Sequence, residues 1–543
     1  LWNLGTDRRR RLALFAHVAV LIVLLDGLPG LAEPNPRFNT AWLHAGFIQH
    51  VATGQGLLLH LDARFSWAGF FSGAALVQRA AGTATTLWMV RFTPVFFAAF
   101  ACWVIWIIGR TLRFTVIQRQ VAMVIFVVGN WSGQDYFSPQ ATSFCLFYTL
   151  CAVALVAFAG PGLRPGRRLD RWLRPARWPQ LNPLDQAERA AAYLGFVVVI
   201  CAVVLTHQLT PGFISLAFLL LAITGSTRLR SFPFISGFLT LAWTCYAAEA
   251  YWTGHFDKLV GGVGSLGNLV QANIGKRASG GTMERSIVVA SRIGMAGLIW
   301  AAAGLAAIIL WRRRSTPVAA MCLFGAGFPL LILQPYGGEM LIRVFLFSLP
   351  AVSLLIATLV VPSYRTTPGM SKVVGILSRR SPKRLVAAGV IMAATVPLFL
   401  LARFGNESYE RVSTNDRRTV NVLYRSAPVD SVVYIEDRQA LLSSQRVGEV
   451  RFQNLSSVDP HQVEAQIRSS TGRQAATYIL LTESEQAYAE QVFGLPTHWA
   501  DGLARSLLDN GGYVLEFRAG RSMLLRATVP IPEPPVPKAI RAR

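Results

Sequence analysis

Apolar residues in this chain come in blocks of about twenty, the length of helix that crosses a hydrocarbon core about 30 Å thick. Candidate spans fall at 12–32, 88–109, 115–133, 139–160, 190–206, 211–226, 232–252, 287–311, 316–335, 342–361 and 384–403. That makes about eleven, joined mostly by short polar connections. Between the first two spans the pattern changes. Over residues 41–51 the apolar positions Trp42, Leu43, Phe47, Ile48 and Val51 recur at helical spacing, which predicts a short amphipathic helix lying at the membrane interface. Residues 66–82 are too short to span and are expected as a re-entrant or interfacial helix. After residue 403 the pattern changes again. Strand-like runs (Val432–Ile435, Thr477–Leu481, Tyr513–Phe517, Ser522–Ala527) alternate with helical ones (Pro460–Ser469, Glu483–Val492, Trp499–Asp509), the pattern of a small α/β domain.

The predicted organisation is a membrane domain over 1–403, with a first loop at 33–87, then an α/β domain over 404–528 and a proline-rich basic tail over 529–543. Composition agrees. Apolar residues make up 53% of the 543 and charged residues 15%, with a mean hydropathy of +0.41. A soluble domain carries about 25% charged residues. The first apolar block is followed by a charged loop rather than a small-residue cleavage site, so it is expected to remain as a span. The net charge of +24 does not indicate a nucleic-acid partner, because the arginines cluster between spans. Arg8–Arg11, Arg110/Arg113/Arg119, the run from Arg164 to Arg177, Arg228/Arg230, Arg312–Arg314 and Lys372–Arg384 all fall on one face if the spans alternate. That face is expected to be cytoplasmic in a plasma membrane, with the N-terminus inside and both the first loop and the C-terminal domain outside. All six cysteines lie in apolar segments without a CxxC spacing, so they predict neither a disulfide framework nor a zinc site.

With that topology the polar residues of the outer loops form a set. Glu33 and Asp62 lie in the first loop, Asp135, Tyr136 and Gln140 between the third and fourth spans, and His207 between the fifth and sixth. Lys258, Lys276, Arg277 and Arg285 follow the seventh span, and Glu339 and Arg343 lie between the ninth and tenth. Ionisable groups near a membrane are costly and are usually retained for function. A carboxylate within reach of a hydroxyl is a general base, and cationic side chains hold a departing phosphate. Together they suit transfer of a group from a lipid phosphate to an acceptor alcohol. Each residue also has a plainer reading. Glu33 could cap the first span, Asp62 could N-cap the helix that follows it, and Asp135 could close an Asx turn. His207 could be a hydrogen-bonded structural residue, and Glu339 with Arg343, four apart, could form a helical ion pair. His44, His50 and His60 do not share one helix face and are not expected to bind metal together. No cofactor is expected: a divalent metal would have Asp135 and Glu33 to draw on, without HxxE or DxD spacing.

The stretch E-P-N-P-R-F-N-T-A-W-L-H-A-G-F-I beginning at Glu33, with G-Q-D-Y-F-S-P-Q ending at Gln140, resembles the GT-C superfamily of integral membrane glycosyltransferases. The motifs Q-D-Y-F-S-P, T-H-Q-L-T-P and Y-G-G-E-x-x-x-R look like those of its actinobacterial members. The resemblance implies a polyprenyl-phosphate-linked sugar donor, a cell-envelope glycan or lipid acceptor, and displacement with inversion. Glu33 is then the first-choice base and Asp62 the second. Asp135, Tyr136, Gln140 and His207 would shape the sugar site, while Arg343, with Lys276, Arg277 or Arg285, would hold the phosphate. Many members carry an Asp or paired acidic residues at the loop start, where this chain has Glu33 alone between prolines and Asp62 further on. Two other classes remain: a transporter or flippase of lipid-linked sugars, which would carry ionisable groups at mid-membrane rather than at one face, and a non-catalytic envelope scaffold.

Overall fold

The computed structural model describes residues 8–159, 184–253, 281–333, 339–361, 395–437, 441, 443–469 and 475–528. It is a polytopic α-helical membrane protein carrying a C-terminal α/β domain. The helices of the membrane part are α1 (Arg8–Ile22), α2 (Asn39–Ala52), α3 (Gly69–Ala80), α4 (Leu87–Thr111), α5 (Val116–Gly129), α6 (Pro139–Ala157), α7 (Gln186–Thr206), α8 (Thr210–Ile223), α9 (Phe232–Ala242), α10 (Met283–Arg312), α11 (Val318–Gly325), α12 (Met340–Val360) and α13 over 395–404. Six described helices are long and apolar enough to cross a bilayer, and four shorter apolar ones stand at the other predicted spans. The eleventh prediction, 384–403, is described only from residue 395.

Large apolar side chains such as Phe96, Leu194, Phe234, Phe238 and Leu241 are exposed on these helices. In water such a belt would be a liability; against lipid tails it is the expected surface. The interior is closely packed. Phe144, Phe147, Tyr148, Phe213 and Phe347 are buried together, with Phe213 stacked on Phe347 at 4.4 Å between ring centroids.

The segment over residues 41–51 forms α2, and the segment over 66–82 holds the end of a 3₁₀ turn (Ala63–Trp67) followed by α3. Asp62 accepts the Arg64 amide and so N-caps that turn. Helix α1 leads into a π turn over Val23–Gly27 that carries the buried Asp26.

The C-terminal domain holds α14 (Thr414–Ser426), β1 (Ser431–Ile435), β2 (Val450–Asn454), α15 (Pro460–Ser469), β3 (Thr477–Leu481), α16 (Glu483–Tyr488), α17 (Trp499–Asp509), β4 (Tyr513–Ala519) and β5 (Ser522–Ala527). The sheet order is β2-β1-β3-β5-β4. β1 is parallel to β2 and β3, while β5 is antiparallel to β3 and β4. The sequence pattern does not announce α14 or β2. β2 is an edge strand with only Val450 fully buried, so its alternation is weak, and α14 is polar on average, with an apolar face that appears only once the sheet is present.

The domain is interlocked with the first loop. Trp42 of α2 belongs to the domain's core with Val420, Leu423, Tyr424 and Val433, and Val447 of the domain is buried with Ala41, Phe47 and Phe65. A side chain at Gly46 would run into the Ser443 backbone carbonyl, so α2 lies directly on the domain's main chain.

At the end of β1, burial, with the charge of Asp437, pushes the Glu436 carboxyl from its ordinary 4.5 up to about 7. A raised carboxyl favours the folded state below its ordinary value, and that contribution is lost as pH rises through the folded value. Glu436→Gln should therefore raise the unfolding temperature at pH 8, with the gain shrinking toward pH 5. A gain independent of pH in melting curves would contradict this.

Candidate functional site

A cavity of about 230 Å³ opens at the end of the bundle that meets the C-terminal domain. Six segments line it: Thr40 and His44 of α2; Ala63, Arg64 and Trp67 of the turn; Tyr136, Ser138, Pro139 and Gln140 before and at the start of α6; Thr206, His207 and Gln208 at the end of α7; Tyr251; and Glu339 and Arg343 at the start of α12. The sequence-predicted Tyr136, Gln140, His207, Glu339 and Arg343 are thus brought together.

Arg343 is the cation at the centre of this wall. Its Nη2 donates to Glu339 Oε2 at 2.7 Å and its Nη1 to His207 Nε2 at 3.0 Å. Arginine only donates, so His207 Nε2 accepts, while His207 Nδ1 lies 2.9 Å from Thr210 Oγ1 and 3.2 Å from the Thr210 amide nitrogen. Burial and the Arg343 charge hold the His207 imidazole well below its usual pKa, so it stays neutral. Pro211 in the first turn of α8 fixes the backbone that presents Thr210. The plain readings of these residues hold, and their outcome is a guanidinium fixed in place at the cavity.

Elsewhere in the lining, His44 Nδ1 donates to the Phe137 carbonyl at 2.9 Å, and its ring lies parallel to Tyr136 at 6.0 Å. Burial and the charge of Arg64 push the His44 pKa down to about 3, so this imidazole is neutral as well. Arg64 pairs with Asp62 at 2.8 Å. Trp67 packs edge-on against Tyr251 at 5.0 Å, and Trp243 donates its indole N–H to the Ser66 carbonyl at 3.0 Å, anchoring the turn to the spans.

The remaining predicted residues lie elsewhere. Glu33 is outside the cavity: its carboxylate pairs with Arg411 at 2.9 Å. The loop around it is tied down by Arg91, which donates to the Glu33 and Pro34 carbonyls, and by Arg37, which pairs with Glu407 and Glu410. Asp135 is also outside the cavity, buried against Arg403 at 2.9 Å, and Arg403 reaches Asp26 at 2.5 Å. The two carboxylates from which a divalent metal could have been held are thus taken by different arginines. Among the described residues no group of three His, Cys, Asp or Glu side chains is placed to hold a metal. Arg285 stands at the start of α10 near Tyr409, away from the cavity. Lys258, Lys276 and Arg277 lie outside the described residues.

Sequence reading overlooked Asp26, Arg403, Trp67 and Tyr251, and it gave His44 and Arg64 no role in the cavity. A signal existed for Asp26 and Arg403, each an ionisable residue within or at the end of an apolar block.

No family model and no curated protein sequence matches the chain. Solved structures do. The crystal structure of ArnT from Cupriavidus metallidurans bound to undecaprenyl phosphate is similar at a TM-score of 0.50 and 11% identity, over 96% of this chain and 99% of that one. The Archaeoglobus fulgidus oligosaccharyltransferase, tethered to an acceptor peptide containing the NVT sequon, is similar at a TM-score of 0.50 and 13% identity, over 91% and 72%. Both are GT-C proteins. This chain has the GT-C fold. The expected fold class therefore holds over nearly the whole length. Within that GT-C frame the cavity is formed by the first loop, the loop before α6 and the ends of later spans.

Proposed function

We propose that the protein is a glycosyltransferase that moves a sugar from a polyprenyl phosphate to a cell-envelope glycan or lipid, at the outer face of the plasma membrane and with inversion. The observation that carries this reading is the Arg343 guanidinium, held by a neutral His207 and Glu339 in a cavity at one end of a GT-C bundle. In the reaction the acceptor oxygen bonds to the anomeric carbon as the bond from that carbon to the phosphate oxygen breaks. The polyprenyl phosphate leaves with the electron pair. Arg343, with Arg64 of the same lining, stabilises the charge that develops on it. Trp67, Tyr136 and Tyr251 offer apolar faces for the sugar ring.

The acceptor proton goes to Asp62 in this reading. Asp62 directly precedes the cavity-lining Ala63 and Arg64, and Arg64 is its ion-pair partner. A phosphate drawing Arg64 toward the cavity would release Asp62 to act as base. Glu33, engaged with Arg411, ranks second.

A flippase finds less support, because Phe213 and Phe347 are stacked in the aromatic block one turn below Thr210 and Arg343, where a passage would have to run. The test is transfer from radiolabelled polyprenyl-phosphate sugars by the protein in nanodiscs. Asp62→Asn should lower turnover on the order of 10²-fold, and Glu33→Gln far less. Transfer by no polyprenyl-phosphate sugar, together with movement of labelled lipid between leaflets, would replace the proposal by the flippase. The reverse order of the two variants would return the base to Glu33.

A further inference from the structure

At the end of the bundle away from the cavity, an apolar groove of about 440 Å³ runs between α1, α4 and α5. Phe15, Val18, Ala19 and Ile22 form one side, Ala99, Cys102, Trp103 and Trp106 the other, and Met123 lies along it. Phe15 and Trp106 meet at 5.0 Å. The eight residues from Phe15 to Ile22 rise about 10 Å, against about 15 Å for one leaflet of the hydrocarbon core. The groove thus lies within a single leaflet.

Its end is cationic. The Arg119 guanidinium sits on the face of Trp106 at 3.9 Å, and Arg119 is 8% exposed. Its Nε is buried without a hydrogen-bond partner. The side-chain stem passes over Gly109, where an added Cβ would lie 2.7 Å from Arg119 Cγ, and Arg110 follows directly. The Gln120 side chain donates to the Arg11 carbonyl at 2.9 Å, which brings the basic start of α1 to the same corner. The sequence holds no Asp or Glu from Ala63 to Gln134, and among the described residues neither Arg110 nor Arg119 has an acidic partner. A guanidinium desolvated beside a lipid-facing groove, with no acidic partner among the described residues, calls for an anion that carries its own apolar chain.

We propose that this groove and the Arg110–Arg119 corner bind an anionic glycerophospholipid of the leaflet opposite the cavity. One acyl chain lies along α1 and α4, and the phosphate sits against Arg119 and Arg110. A polyprenyl chain, long enough to exceed one leaflet, fits this short groove less well. The site is separate from the catalytic cavity, and its test does not depend on the reaction.

The experiment is a lipid titration of the delipidated, detergent-solubilised full chain, read by unfolding temperature and native mass spectrometry. Phosphatidylglycerol should stabilise the protein and remain bound, and phosphatidylcholine should do so much less. Arg119→Gln should weaken phosphatidylglycerol about fivefold or more, the loss expected for one arginine near a lipid phosphate. In case that variant folds poorly, Ala99→Phe fills the groove from its exposed wall and should lower the same affinity with the arginines intact. Equal responses to both lipids, or an undiminished phosphatidylglycerol response in Ala99→Phe, would overturn the site. Stabilisation by glycerol phosphate alone would overturn the role of the groove. A response to undecaprenyl phosphate without one to phosphatidylglycerol would overturn the choice of lipid.

Discussion

An Arg343→Gln variant should lose glycosyl transfer on the order of 10²–10³-fold while keeping its unfolding temperature. The reasoning starts from what holds the residue. His207 and Glu339 together fix the guanidinium before any substrate arrives, so stabilising a departing phosphate requires little reorganisation at the moment of reaction. Glutamine retains hydrogen-bonding capacity toward Glu339 but loses the charge that matters as the phosphate leaves. The deficit should therefore appear in turnover more than in donor affinity. Arg343→Lys should recover only part of it, because one ammonium cannot present a planar fork to His207, Glu339 and a phosphate. The measurement is initial rate against donor concentration for the three proteins in nanodiscs, beside their melting curves. If Arg343→Gln transfers sugar at the native rate, the phosphate is held elsewhere.

The other large effect is expected at Arg403, and on stability. Its guanidinium serves two buried carboxylates, Asp26 on the π turn after α1 and Asp135 before α6, and also donates to the Asn130 carbonyl. Removing one partner from a buried ionic group costs about 3–5 kcal/mol, and here Arg403→Met leaves two carboxylates facing each other without a cation. The variant should express poorly and unfold well below the native protein. Asp26→Asn in the same background removes one of the opposed charges and should restore part of the loss, a coupling that a double-mutant cycle measures. Additive effects would mean that the three groups do not act as a unit.

The two residues also show what the sequence can and cannot reveal. The spans are legible because a bilayer imposes a long apolar window on each, and one aspartate does not break such a window, so Asp26 passes unnoticed within 12–32. The cavity is partly legible for a related reason. Tyr136, Gln140, His207, Glu339 and Arg343 stand at span ends that alternate onto one face, and that face gathers them. What pairs with what is not legible. Glu33 and Asp135 have the same sequence character as Asp62, yet Arg411 and Arg403, far along the chain, claim the first two, while the near neighbour Arg64 claims the third. Pairing between distant segments is a property of the packed fold, and no local spacing encodes it. The same holds for α14, whose apolar face is defined only by the sheet that covers it.

The contact of Gly46 with the Ser443 main chain bears on how this protein can be rebuilt by recombination. α2 carries Thr40 and His44 at the cavity, and it also carries Trp42 in the distal core and Gly46 against the distal backbone. A chimera joined at residue 403, with the membrane part of one relative and the distal domain of another, would cut the chain where it is covalently simple but sterically continuous. The exchangeable module is therefore discontinuous in sequence, consisting of the first loop together with everything after residue 404.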